Sequence, residues 1–246
     1  MGPNANRSTV LYGGTYAAFT ATPEMTPLAG LQAAWGADAV TFVPTCPDAR
    51  CQNTSGFDNA VAAARTATAV VVVGGLDGTT IEREGADRGS QSTNWTDGYS
   101  CEDEARDVIG LPGCQQDLVA ALRAAAPTDA PVVLVVLNGG PVSVTNATQT
   151  ADAILDMFYP GPAAGAALSR ILSGEVSPSG RLPYTVFESQ KSLPPFVDYA
   201  SKGRTLRFLQ GDGKQHVLYG FGYGLDYAML WTHAADIVPQ PSHGPL

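Results

Sequence analysis

"VVVVGGLDGTTIEREGADRGS", residues 70–90, begins as four valines and ends in a crowd of charge. A run of β-branched residues favours a buried strand, and Gly74-Gly75 closes it with a turn. Glu82, Glu84, Asp87 and Arg88 follow in a chain of which only 15% is charged. If the strand lies in a parallel sheet, this cluster falls beyond its carboxyl end, where such folds collect their functional groups.

The surrounding pattern supports that sheet. "DAVTFV" (38–43), "TAVVVV" (68–73), "PVVLVVL" (131–137) and "DAILDMF" (152–158) read as buried strands. Between them lie helical patterns: "TPLAGLQAAWG" (26–36), "FDNAVAAARTA" (57–67), "CQQDLVAALRAAAP" (114–127) and "PAAGAALSRILSG" (162–174). The first has a Thr-Pro start and a Gly stop, the ordinary signals of a helix's ends. The alternation predicts an α/β fold, a mostly parallel sheet flanked by helices. Past residue 187 the chain turns Pro-rich and polar and reads as a long surface loop, and "VLYGFGYGLDYAML" (217–230) predicts one last strand. Residues 231–246 read as a disordered tail. Trp35 and Trp231 read as core or edge packing.

Length and charge exclude several classes. A chain of 246 residues forms one substantial core or two small ones. A net charge of −9 argues against nucleic acid or an anionic membrane as partner, because both need a basic face. No apolar run is long enough for a membrane span. "MGPNANRST" lacks the basic start and apolar stretch of a secretory signal. Other features nevertheless predict a secreted protein. Asn6, Asn53, Asn94 and Asn146 each begin an Asn-x-Ser/Thr sequon, where composition alone gives about one. Cys46/Cys51 and Cys101/Cys114 are spaced for local disulfides, the alternative being free thiols. The cysteines and histidines have no zinc spacing, so no metal is expected. Secretion without a signal peptide predicts that the chain is part of something longer.

The charged cluster admits two chemistries. Gly74, Gly75 and Gly78 miss the dinucleotide spacing, no Gly-Lys-Ser/Thr follows, and the acids would repel a pyrophosphate. Carboxylate catalysis fits better. Glycoside hydrolysis uses one carboxylic acid to protonate the leaving oxygen and a second group as nucleophile or base. Glu82 and Glu84 flank one residue, so each can raise the other's pKa, while Arg88 can hold one ionised. The alternative is a solvated loop of surface ion pairs.

"GGLDGTTIEREGADR", "GLPGCQQDLVAAL", "VVLVVLNGGPVSV", "FYPGPAAGAALSRILSGEVSPSGRLPYT" and "LYGFGYGLDY" occur in this order along the chain. Together they resemble the second, C-terminal α/β sandwich domain of glycoside hydrolase family 3. Within it they are most similar to β-xylosidases and α-L-arabinofuranosidases. The resemblance runs from Gly2 to about Tyr227 and implies one domain over 1–230. It implies a domain of a retaining β-glycosidase that hydrolyses terminal β-xylosyl residues, or β-glucosyl or arabinosyl ones, of plant cell-wall oligosaccharides. Glu82 matches the family's general acid/base. Glu84 matches a second acidic position with a supporting role, and Asp87 and Arg88 match an Asp-Arg pair that fixes the loop; Asp77 either braces that loop or caps the turn. No cofactor is implied. The implied partner is a (β/α)8 barrel domain carrying an Asp nucleophile, and no barrel pattern precedes Gly2, so the chain alone is expected to be inactive. The alternative is a non-catalytic carbohydrate-binding or partner module.

One departure from the family pattern stands out. Between Asp87-Arg88 and Leu111-Pro112-Gly113 the chain inserts residues 89–110. They read as an elaborated loop pinned by Cys101–Cys114, with Trp95 or Tyr99 stacking on sugar, or as solvent-facing padding. Tyr159-Pro160-Gly161 resembles a family loop near the domain interface, which makes Tyr159 a further substrate-binding candidate, although packing alone would explain it.

Overall fold

The computed structural model of the chain describes residues 1–12, 22, 25–76, 108–193, 197, 199 and 216–227. Among them, three parallel strands form the central sheet: β1 (Val70–Gly75), β2 (Val132–Leu137) and β3 (Ala153–Asp156). β2 lies in the middle, with Val72 opposite Leu134 and Val133 opposite Ala153. Helices α1 (Pro27–Trp35), α2 (Phe57–Ala64), α3 (Gln115–Ala125) and α4 (Ala164–Leu172) cover both faces.

The valine runs have no polar side because both faces are buried. Val70, Val72, Leu134 and Val136 pack with Phe57 and Ala60 of α2 and Leu118, Val119 and Leu122 of α3. Val73, Val135 and Leu137 face the other way, against Leu31 of α1 and Ala164 and Leu168 of α4. Each such fully buried side chain contributes roughly 1.5–3 kcal/mol. α1 starts where its sequence says it should: Thr26 Oγ1 accepts from Ala29 N at 3.2 Å and Pro27 holds the first position. α1 and α4 approach until a Cβ on Gly165 would sit 2.7 Å from Gly30 Cα, so both positions need glycine.

Two expectations fail. Residues 38–43 form no strand. Their apolar groups are half-buried all the same, Val40 and Phe42 against one core and Val43 against the other. The free edge of β1 is already occupied. Val73 N donates to Met1 O and Asn4 N donates to Val73 O, so residues 1–4 lie along that edge instead. The expected last strand is only β5 (Val217–Tyr219), and it pairs antiparallel with β4 (Val186–Phe187), apart from the main sheet. Trp35 is 41% exposed at the end of α1, which leaves edge packing rather than core packing. Trp231 and the tail 231–246 lie outside the described residues.

Candidate functional site at the carboxyl edge of the sheet

Parallel register brings the three strand ends together, with Gly75 opposite Leu137 and Val136 opposite Asp156. The chain leaves β1 through a heavily bonded exit. Gly75 has φ +123°, and a Cβ there would collide with the Leu137 carbonyl oxygen. Leu76 N donates to that same oxygen at 2.8 Å. Two buried carboxamides then grip the exit from different elements. Asn4 Nδ2 donates to Gly74 O at 3.2 Å and Leu76 O at 3.1 Å. Gln115, in the first turn of α3, accepts from Gly75 N at 2.8 Å and donates to Gly75 O at 2.9 Å and to Ala49 O.

The chain is described again from Val108, where it is also tied to this edge. Ser143 N donates to Ile109 O at 2.7 Å, and Gly110 pairs with Ser143 beyond the end of β2. Leu111 is buried, and Cys114 N donates to Cys51 O at 2.9 Å. The described residues on either side of 77–107 are therefore held at the carboxyl edge.

β3 ends in a second cluster. Asp156 Oδ1 accepts from Phe158 N at 3.2 Å, and Oδ2 from Tyr184 Oη at 3.4 Å. Burial pushes this carboxyl above its usual range, opposed by the Phe158 N–H and by Asn138 and Tyr184, which favour the ionised form. Phe158 has φ +53°, left-handed for a residue with a bulky side chain, which costs about 1–2 kcal/mol. Its surroundings hold it there. Its carbonyl accepts from Asn138 N at 3.2 Å, and its ring meets Tyr184 edge-on at 5.9 Å. Asn138 Nδ2 donates to Gly140 O at 2.7 Å, while Asn138 Oδ1 is buried with no hydrogen bond, as is Asn4 Oδ1. Orphaned acceptors and backbone strain concentrate where such folds place function.

Of the residues singled out from sequence, Asp77, Glu82, Glu84, Asp87, Arg88, Asn94, Trp95, Tyr99 and Cys101 lie outside the described residues. Tyr159 is half-buried at the carboxyl edge, its ring so close to Gly139 that a Cβ there would push the ring aside. Cys46 and Cys51 form a disulfide, with an S–S distance of 2.03 Å. Cys114 has no disulfide partner among the described residues. Asn6, Asn53 and Asn146 are exposed. Among the described residues no cluster of His, Cys, Asp or Glu is arranged to hold a metal, and no helix is long and apolar enough to cross a membrane.

Sequence reasoning missed Gln115, Asn4, Asn138 and Asp156. Gln115 did leave a signal. It falls on the same helical stripe as Leu118, Val119 and Leu122, and a lone polar side chain on an apolar stripe needs a buried partner. Asp156, the one charge inside "AILDMF", is a signal of the same kind.

Comparison with known proteins agrees with this architecture. The model of the glycosyl hydrolase family 3 C-terminal domain matches residues 1–227. Beta-D-xylosidase 1 of Arabidopsis thaliana is 37% identical over 200 residues, which cover 77% of this chain and 22% of that protein. Beta-xylosidase/alpha-L-arabinofuranosidase 1 of Medicago sativa subsp. varia is 32% identical over 260 residues, covering 100% of this chain and 29% of that one. Among solved structures, the GH3 exo-beta-xylosidase XlnD in complex with a xylobiose aziridine activity-based probe aligns with a TM-score of 0.69 at 28% identity. That alignment covers 92% of this chain and 27% of XlnD. The chain thus spans less than a third of the length of these relatives.

Proposed function

The chain belongs to glycoside hydrolase family 3, as that family's C-terminal domain, and from this premise we propose that it supplies the general acid/base of a retaining β-glycosidase. The substrates are terminal β-xylosyl residues of plant cell-wall oligosaccharides, with β-glucosyl or arabinosyl residues as the neighbouring possibilities. The observation that carries the reading is the exit of β1. It leads the chain out at the carboxyl edge, bonded through Leu76, six residues before Glu82. That both of these relatives carry the name beta-xylosidase supports a xyloside as the substrate.

The chemistry runs in two steps. In the first, the Glu82 carboxylic acid gives its proton to the glycosidic oxygen while an Asp carboxylate attacks the anomeric carbon and the C–O bond breaks. In the second, the Glu82 carboxylate takes a proton from water, and that water displaces the Asp and releases the sugar. The Asp nucleophile is assigned to a (β/α)8 barrel partner, so the chain by itself has no turnover. Glu84 perturbs Glu82 electrostatically, and Asp87, Arg88 and Asp77 brace its loop. Trp95, Tyr99 and Tyr159 are sugar-stacking candidates.

The test is hydrolysis of an aryl β-xyloside by the chain joined to a family 3 barrel. Glu82→Ala is expected to lower kcat by about 10²–10⁴. An unchanged rate would reject the assignment and favour a non-catalytic carbohydrate-binding module. The exposed sequons at Asn6, Asn53 and Asn146 support a secreted glycoprotein. Expressed through a eukaryotic secretory pathway, the chain should lose mass on endoglycosidase treatment; an unmodified mass would count against secretion.

A further inference from the structure

We infer that Gln115 is a positioning residue for the acid/base loop, an inference that rests on the reading of Glu82 given above. Its carboxamide is buried, with the residue only 2% exposed, yet every hydrogen-bonding direction it uses is spent on backbone. It accepts from the N–H and donates to the carbonyl of the same residue, Gly75. Two bonds to one residue fix the rotation of both adjoining peptide planes, which a single bond cannot do.

Asn4 completes the grip from the N-terminal segment. The carbonyls of Gly74, Gly75 and Leu76 are held in turn by Asn4, Gln115 and Asn4. β2 pairs with β1 only as far as Leu137, opposite Gly75, so the side chains add to the ladder where it ends. The path of the chain through Leu76 is therefore fixed by two side chains together with the bond from Leu76 N to Leu137 O. Gln115 is itself braced. Its Nε2 also donates to Ala49 O, inside the short loop closed by Cys46–Cys51, and Cys114 N donates to Cys51 O.

The arrangement serves stability too, since it pairs three backbone groups, the Gly75 N–H, the Gly75 carbonyl and the Ala49 carbonyl. A leucine at 115 would continue the stripe of Leu118 and Leu122 but leave those groups without this partner, at about 1–3 kcal/mol for each one left buried and unpaired. The geometry gains precision at the root of a loop. Glu82 lies six residues along the chain from Leu76, so the orientation of the last held peptide bears on where its carboxyl can reach. A misplacement of about 1 Å is enough to cost a general acid on the order of 10²-fold.

Two readouts test this. In the 246-residue chain itself, Gln115→Leu should speed hydrogen exchange at the Gly75 amide at least about tenfold, with the Val132–Leu137 amides unchanged, because it removes the acceptor to which the Gly75 N–H donates. In the chain joined to a family 3 barrel, Gln115→Leu should lower kcat/KM at least about tenfold more on an aryl β-xyloside with a poor leaving group than on an activated one. kcat/KM reports glycosylation, the step in which only the poor leaving group needs protonation by the acid. If Gln115→Leu fails to melt cooperatively, Gln115→Glu carries the same readouts. It keeps the shape and the acceptor for Gly75 N but turns an anion toward two carbonyl oxygens. Unchanged Gly75 exchange, or equal losses on both substrates, would overturn the inference. If Glu82→Ala itself shows no leaving-group bias, the acid assignment falls. If Glu82→Ala shows the bias and the Gln115 variants do not, only the positioning role falls.

Discussion

At the amino edge of the sheet, Asp152 accepts from Val132 N and from Arg123 Nη1, both at 2.7 Å. Arg123 spends its other donors on the carbonyls of Ala126, Pro127 and Ala130, closing the end of α3. At the carboxyl edge, four residues further along the chain, Asp156 is half-buried without a cation bonded to it among the described residues. The Val132 N–H, with help from Arg123, holds the Asp152 carboxyl below its usual range, whereas burial pushes Asp156 up. One end of the sheet is arranged for stability. The other carries orphaned acceptors, a left-handed phenylalanine and a carboxyl disfavoured as an anion, and it is the end at which 77–107 leaves and returns.

The most severe way to break the carboxyl edge is Gly75→Ala. Positive φ and overlap with the Leu137 carbonyl should together cost about 3 kcal/mol, read as a lower midpoint in denaturant unfolding. A midpoint equal to the parent's would mean that the exit of β1 is less constrained than its geometry says.

The same Asp→Asn change at the two ends of β3 sharpens the contrast. A carboxyl with a depressed pKa contributes stability that is present above its unfolded value and lost as pH falls through the folded one. Asp152→Asn should therefore destabilise at pH 7, by about 0.5 kcal/mol because the side chain is half-exposed and screened, and the difference should shrink under acid. A carboxyl with a raised pKa works in reverse, its contribution full at low pH and lost as pH rises through the folded value. Asp156→Asn should thus be neutral or slightly stabilising at pH 7 and lose that advantage toward pH 3. Thermal melts at both pH values check the pair, and two variants with the same sign at pH 7 would dissolve the contrast.

The core was readable because burial on both faces removes polar residues from a parallel strand. Val70–Val73 and Val132–Leu137 show this directly, as does the alternation with α1, α2, α3 and α4. Val40 and Phe42 misled because apolar residues report burial, not pairing, and residues 1–4 already fill the place beside β1. The proposed acid stands differently. Glu82 and its neighbours rest on charge after a strand and on the family resemblance, and they lie outside the described residues. The clamp of Asn4 and Gln115 depends on contacts between residues far apart in sequence, which no local pattern encodes. A polar residue on the buried stripe of α3 was the one trace it left.

The central claim is that Glu82 is the acid and base of the reaction, and azide tests it most directly. In the chain joined to a family 3 barrel, Glu82→Ala should lose most of its turnover on an activated aryl β-xyloside, because deglycosylation then lacks its base. Added azide needs no base, and it should restore turnover and yield a glycosyl azide with retained configuration. A Glu82→Ala variant that turns over at the parent's rate, or stays slow with azide and forms no glycosyl azide, would contradict the account.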